Sequence, residues 1–232
     1  MTSLSPLDWL ELWNAWRHTP QQQKAVEQFR RELLELAPSL LDTEAAWQQA
    51  YRAMPSPAHP NPLPVAWENQ NNNLSGRGYR ECFSSSCAML ARYHGKVRND
   101  DEYNEIRARY GDTTSSQAQL TALRSLGLNA YFRTDSNRSM LEQEIKAGRP
   151  VAVGWLHKGP AQAPYGDGHW SVVIGFTSTK AVMNDPNGEA DLVNGGYVNN
   201  TDGQAIPYSW KNWLPRWEAD GPGSGWMLTC SQ

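Results

Sequence analysis

The 232-residue chain lacks several features that would assign it quickly. Its net charge is small, −3 at neutral pH with a pI near 6.0, so it has no polybasic surface, and nucleic acid and anionic membranes are not expected partners. It has three cysteines, Cys82, Cys87 and Cys230, an odd count too small for a disulfide framework and without the spacing of a structural zinc site. A reducing compartment of synthesis is expected. No apolar run is long enough to span a bilayer, so membrane insertion is not expected. The start, Met1-Thr2-Ser3-Leu4-Ser5-Pro6-Leu7-Asp8, has no basic leader followed by an apolar stretch, and a conventional secretory signal is therefore not expected. No internal repeat is visible.

What is abundant is apolar and aromatic surface. The chain is 39% hydrophobic and carries eleven tryptophans, enough for one ordinary globular core with a small appendage. Most of these rings are expected in the core or at a domain interface; the alternative is a surface that grips sugars or peptides. Residues 1–54 have helical periodicity, with Leu7, Leu10, Trp13 and Trp16 in one segment and Val26, Phe29, Leu33 and Leu34 in the next. Three short helices bury little alone, so this unit is expected to dock on a larger body or a partner. Between Pro55 and Pro64, five prolines cannot continue a helix, and a linker is expected over 55–66.

The remainder, 67–232, reads as helices followed by strands. Helices are expected over Cys82–Tyr93, Asp100–Tyr110, Ser116–Leu126 closed by Gly127, and Ser136–Ala147 closed by Gly148. Strands are expected over Leu128–Phe132, Val151–Leu156, Trp170–Phe176 and Lys180–Met183, the last two joined as a hairpin by Thr177-Ser178-Thr179. From Asn184 to Gly225 the chain reads as loop around an aromatic cluster at Tyr208, Trp210, Trp213 and Trp217. The class is α+β, a helical lobe followed by a mainly antiparallel sheet.

Cys82 follows a glycine-bearing loop and opens a helix, where unpaired N–H groups and the helix dipole favour a thiolate. A nucleophilic thiol needs a base within hydrogen-bond reach and a third group to orient that base. His169 is the expected base: it opens a strong strand after the flexible Tyr165-Gly166-Asp167-Gly168. His157 is a weaker alternative, and His94 lies at the wrong end of the Cys82 helix. Asp185, in Asn184-Asp185-Pro186, ends the strand paired with that of His169 and is the expected orienting acid; an ordinary Asp-Pro turn is the competing reading. Gln70, one loop before Cys82, is an oxyanion-donor candidate, although a polar Asn/Gln run is also what a solvated loop looks like. Trp155 and Trp170, flanking the histidine strand, are candidate substrate contacts. Cys87 lies one turn into the helix and reads as a small buried apolar residue.

The set Gln70-x-Asn72-Asn73, Cys82-x-x-x-Ser86-x-Ala88-Met89, Ala147-Gly148-Arg149-Pro150-Val151, Gly168-His169-Trp170-Ser171-Val172-Val173-Ile174-Gly175-Phe176 and Asn184-Asp185-Pro186 resembles the papain-like cysteine peptidases related to the double-glycine leader peptidases. The resemblance covers most of Trp67 to Gly188 and implies a papain-like fold. It also implies amide hydrolysis by Cys82, His169, Asp185 and Gln70, with no metal or organic cofactor. Phe83 departs from the glycine usual after the nucleophile, and no transporter membrane domain follows, both of which point to a stand-alone form. The segment from Glu189 to Trp226 is similar to stand-alone bacteriophage and bacterial cell-wall lysis proteins. The resulting expectation is a monomeric endolysin made in the host cytoplasm that cuts the peptide part of peptidoglycan. Its alternatives are a protease or isopeptidase for a protein substrate, and a non-catalytic glycan- or peptide-binding module.

Overall fold

Six strands form one antiparallel sheet in the order β1-β6-β2-β3-β4-β5, comprising β1 (Asn129–Ser136), β2 (Val151–Trp155), β3 (His169–Phe176), β4 (Lys180–Asn184), β5 (Ile206–Ser209) and β6 (Gly225–Ser231). The computed structural model describes residues 59–232, and the expected N-terminal helical unit lies outside the described residues. The helices are α1 (Cys82–Tyr93), α2 (Asp100–Ala108), α3 (Ser116–Ser125), α4 (Arg138–Lys146) and α5 (Trp210–Trp217). The expected α+β, papain-like class is what the structure shows. No helix among the described residues is long and apolar enough to cross a membrane.

Helix α1 is the centre of the core. Every residue from Phe83 to Ala91 is buried. A helix apolar on one stripe lies on a surface, whereas one composed of small and apolar residues all round can be enclosed. Its serines would be costly there without partners. Two of the three have them: Ser84 Oγ meets Thr113 and accepts from Arg107 and Gln119, and Ser85 Oγ donates to Asp100 at 2.9 Å, whereas Ser86 Oγ is buried without a partner among the described residues. Cys87 is fully buried, as its position on the helix predicts.

Helices α2, α3 and α4 begin with Asn99, Ser115 and Asn137, each accepting a bond from a first-turn N–H. Gly127 and Gly148 close α3 and α4 at φ +79° and +76°, the left-handed conformation that ends a helix without steric cost for glycine. Helix α4 starts two residues later than its sequence pattern suggests, because Ser136 completes β1 and Asn137 takes the cap.

The stretch from Asn184 to Gly225 differs from the loop expected there and supplies β5 and α5. Strand β6, which follows and has no counterpart among the expected strands, is inserted between β1 and β2 in the sheet interior. Trp210, Trp213 and Trp217 recur at helical spacing and are buried, with Trp213 and Trp217 stacked at 5.0 Å. Pro215 inside the segment masks that helical signal.

Residues 61–65, inside the proline-rich stretch, lie against the sheet: Leu63 N–H donates to Ile174 O, and Asn61 bonds both backbone groups of Phe176. Gly175 allows this approach, since a Cβ there would sit 2.7 Å from Pro62 Cα. Arg216 is fully buried and donates to the carbonyls of Leu156, Lys158, Gly159 and Leu192, tying α5 to two loops. Burial lowers its pKa. Replacing it with methionine leaves the carbonyls of Leu156, Gly159 and Leu192 without their guanidinium donor, while Lys158 O keeps the Tyr165 N–H, and we expect Arg216→Met to lower the unfolding free energy by about 3 kcal/mol or more. Urea denaturation monitored by tryptophan fluorescence measures this; a loss under about 1 kcal/mol would show that the loops hold themselves.

Candidate active site

Successive residues of a strand point to opposite sides, and at the start of β3 both directions are used. His169 meets Asp185, with Nε2 2.7 Å from Oδ1, and both side chains are buried. The pairing follows from register. Val172 lies opposite Asn184, so one further step puts Asp185 opposite Ser171, diagonal to His169 on the same side. With Nε2 facing Asp185, Nδ1 is the ring nitrogen left for another partner, and Cys82 is near enough to the imidazole to favour its charged form.

Asp185 is itself tightly held. Its Oδ1 accepts from Asn187 N–H at 3.0 Å, its Oδ2 from the Tyr208 hydroxyl at 3.3 Å, and its backbone carbonyl from the Trp67 indole at 2.7 Å. Its backbone N–H donates to Gly203 O, and Gly203 has no room for a side chain because a Cβ would overlap the Asp185 carbonyl oxygen. Tyr208 comes from the tail, and neither it nor Trp67 is singled out by sequence reasoning. The aromatic cluster around Tyr208 was visible, but nothing in its spacing tied it to Asp185.

Gln70 opens a short 3-10 turn, Gln70–Asn72, and is buried. Its Nε2 donates to Gly78 O at 2.8 Å, which occupies one of the two amide hydrogens; Oε1 is buried without a protein donor. Gly78 packs directly on the Gln70 backbone, where a Cβ would lie 2.9 Å from the carbonyl carbon. The same Gly78 carbonyl accepts the Glu81 N–H at 2.9 Å, so the Gln70 amide is fixed to the turn that leads into Cys82. The Gln70 N–H in turn donates to Pro186 O, joining this loop to that of Asp185. Unlike α2, α3 and α4, and like α5, helix α1 has an N-cap residue, Glu81, that makes no side-chain capping bond. The first-turn N–H groups around Cys82 are left for another acceptor.

Of the two tryptophans expected at the substrate, one is enclosed and the other half-buried. Trp155 is 2% exposed, donates its indole N–H to Ser171 Oγ at 2.9 Å and stands edge-on to the His169 ring at 5.3 Å. No face of it remains for a substrate; it supports the imidazole. Trp170 is half-buried and stacks on Phe83, with ring centroids 3.6 Å apart. Tyr197 and His157 also border His169, at centroid distances of 5.6 and 5.8 Å. Among the described residues, no group of three or more His, Cys, Asp and Glu side chains converges as a metal site would.

The electrostatics separate the two histidines. Burial opposes a charge on His169, but the Asp185 carboxylate, its hydrogen bond, and Cys82 outweigh it and raise the pKa to about 10. His157 is pushed down to about 4 by burial, then by the charge of His169 and of Lys158. The stability consequences have opposite signs. The His169 contribution is full below its unfolded value near 6.5 and is lost as pH rises through about 10; His157 disfavours the fold increasingly as pH falls from 6.5 towards 4. Imidazole NMR titration is expected to show one ring titrating near 4 and one near 10, with the high value falling towards 6.5 in Asp185→Asn. A His169 resonance still titrating near 10 in that variant would remove Asp185 as the main cause.

Comparison with known proteins follows the same outline. Residues 62–220 match the model of the Peptidase_C39 like family. No curated protein sequence matches the chain. Among solved structures, a putative C39-like peptidase from Bacillus anthracis is similar at 17% identity and TM-score 0.46, covering 73% of this chain and 95% of that one. The peptidase domain of Streptococcus ComA, a bifunctional ABC transporter involved in quorum sensing, is similar at 15% identity and TM-score 0.45, covering 66% and 92%. A double-glycine motif protease from an AMS/PCAT transporter, solved with a leader peptide, is similar at 19% identity and TM-score 0.43, covering 66% and 86%. With the match running from the segment before Gln70 to beyond α5, the chain belongs to the Peptidase_C39 like family of cysteine peptidases.

Proposed function

We propose that this protein hydrolyses amide bonds through Cys82, and that its substrate is the peptide part of bacterial peptidoglycan. The observation that carries the chemistry is the buried His169–Asp185 pair: Asp185 occupies Nε2 at 2.7 Å, and Cys82, at an uncapped helix start, is near enough to favour the charged imidazole. Cys82 Sγ attacks the carbonyl carbon and its proton resides on His169 Nδ1. The oxyanion is received by the Cys82 backbone N–H and the uncommitted N–H of Gln70. His169 returns the proton to the leaving amine, and water attacking the thioester then gives its proton to His169 and releases the acid. Asp185 holds the ring and balances its charge throughout.

Two features support the substrate class. The segment from Glu189 to Trp226 resembles stand-alone cell-wall lysis proteins, and it includes part of the acid-bearing loop and the α5 cluster. The chain segment between Gln70 and Cys82 presents apolar side chains to solvent, with Leu74 87% and Tyr79 81% exposed. An extended stem peptide can lie across such a surface, as can an unfolded protein segment. The N-terminal helical unit is assigned in this reading to docking on the wall.

The test is incubation of purified cell walls and of denatured casein with the wild-type protein and with Cys82→Ala. Release of free amino groups from walls is expected, falling by about 10³-fold or more in the variant. Release from casein alone would replace peptidoglycan with a protein substrate; equal release by both proteins would overturn the mechanism.

A further inference from the structure

Cys82 is bracketed by two buried residues that reach in different directions, and each touches a different part of the site. Phe83 lies flat against Trp170, with centroids 3.6 Å apart and planes within 8°. Trp170 is the residue after His169, so the stack joins the neighbour of the thiol to the neighbour of the base. It is backed on its other side: a Cβ at Gly154 would lie 2.9 Å from the Trp170 ring, so glycine there lets the indole lie against β2. Phe132 adds a tilted contact at 6.1 Å. Phe83 is 3% exposed and Trp170 is held between two partners, so the first turn of α1 cannot slide along β3 without breaking the stack.

Glu81 reaches the other way. Its Oε2 accepts from Asn73 Nδ2 at 2.8 Å and from Ser75 Oγ at 2.7 Å, and its Oε1 lies 4.0 Å from Arg107. Asn73 closes the Gln70 turn through its N–H to Gln70 O. A carboxylate at an N-cap usually folds back on its own helix. Here it is spent on the Gln70 loop instead, and the carboxylate is buried with its partners in place.

On the reading of Cys82 as nucleophile, we infer that its two neighbours are positioning residues with separate tasks: Phe83 sets the thiol against His169, and Glu81 sets it against the Gln70 amide. The two tasks are separable by reagent. Iodoacetamide forms an S–C bond with release of iodide and needs the thiolate beside its imidazole, but no oxyanion donor. 4-Nitrophenyl acetate transfers its acetyl group to Sγ with loss of 4-nitrophenolate, and water then releases acetate; this route passes through an oxyanion.

The full chain is assayed with both reagents at pH 7 beside thermal unfolding. Phe83→Ala is expected to slow alkylation about tenfold, with Phe83→Tyr restoring it. Glu81→Ala is expected to alkylate within about twofold of wild type while ester turnover falls about tenfold, with Glu81→Gln intermediate. Phe83→Leu, which fills the space without a flat ring, gives the same reading if Phe83→Ala does not fold. Parallel loss of both rates in step with thermal stability, or wild-type rates in both flanking variants, would overturn the inference and leave Cys82 as nucleophile. Equal ester turnover by wild type and Cys82→Ser would instead overturn that underlying reading.

Discussion

A carboxylate without exposed surface is expensive unless its charge is answered, and Asp185 is such a carboxylate. Its contact with His169 is the constraint on which the neighbouring structure depends. The pair sits where the β3–β4 hairpin opens, so the hairpin register must be right to the residue, since a slip of one would turn His169 to the opposite side. Three further donors converge on Asp185: Asn187 from its own loop, and Trp67 and Tyr208 from segments far apart in the chain. The residues just before Gln70, the acid-bearing loop and the strand β5 are thereby fixed at the same point. Removing either member of the pair would leave the other buried alone, so the contact ties local geometry to folding as well as to chemistry.

The charge state of the imidazole shows which physical term wins. Burial alone would keep His169 neutral, as it keeps His157 neutral a ring's width away. The two rings differ in burial, His169 being buried and His157 only partly so, and above all in the carboxylate against His169. Trp155 beneath the ring and Tyr197 beside it exclude water and so strengthen that attraction. A charged ring next to a neutral one is the stable partition, because a second charge on His157 would be repelled at this separation.

Much of this was legible in the sequence, and the reason lies in where the signals are local. A helix start with a cysteine, a strong strand opened by histidine, and an Asn-Asp-Pro ending its hairpin partner can each be read within ten residues, and the structure places those elements as expected. The Gln70 run reads as solvated loop because its partners, Gly78, Glu81 and Pro186, belong to turns and to a distant loop. Trp155 and Trp170 are substrate candidates from their place beside His169, yet Trp155 is enclosed in the core and Trp170, half-buried, stacks on Phe83 and lies against Gly154. The stretch after Asn184 departs most from expectation. Strand β6 buries Met227 and Leu228 in succession while Trp226 stays exposed, so it lacks the clean alternation of a surface strand, and Pro215 interrupts the helical pattern of α5. Both elements owe their existence to the sheet they complete.

Helix α1 shows how such a site is accommodated. Its three neighbours gain about 1 kcal/mol each from Asn or Ser caps. The residue in the same place before Cys82 is a glutamate that caps nothing of its own helix and binds Asn73 and Ser75 instead. The first-turn donors of α1 therefore remain unsatisfied by the protein, and the helix recovers its stability further along, where every side chain from Phe83 to Ala91 is enclosed. A helix so deeply packed can leave its start open; a surface helix of the same length could not, because its cap would be a large part of what holds it together. The burial of α1 and the vacancy at its N-terminus are thus one design, and the small residues Ser84, Ser85, Ser86 and Ala88 that make the burial possible are as much part of the site as the thiol they support.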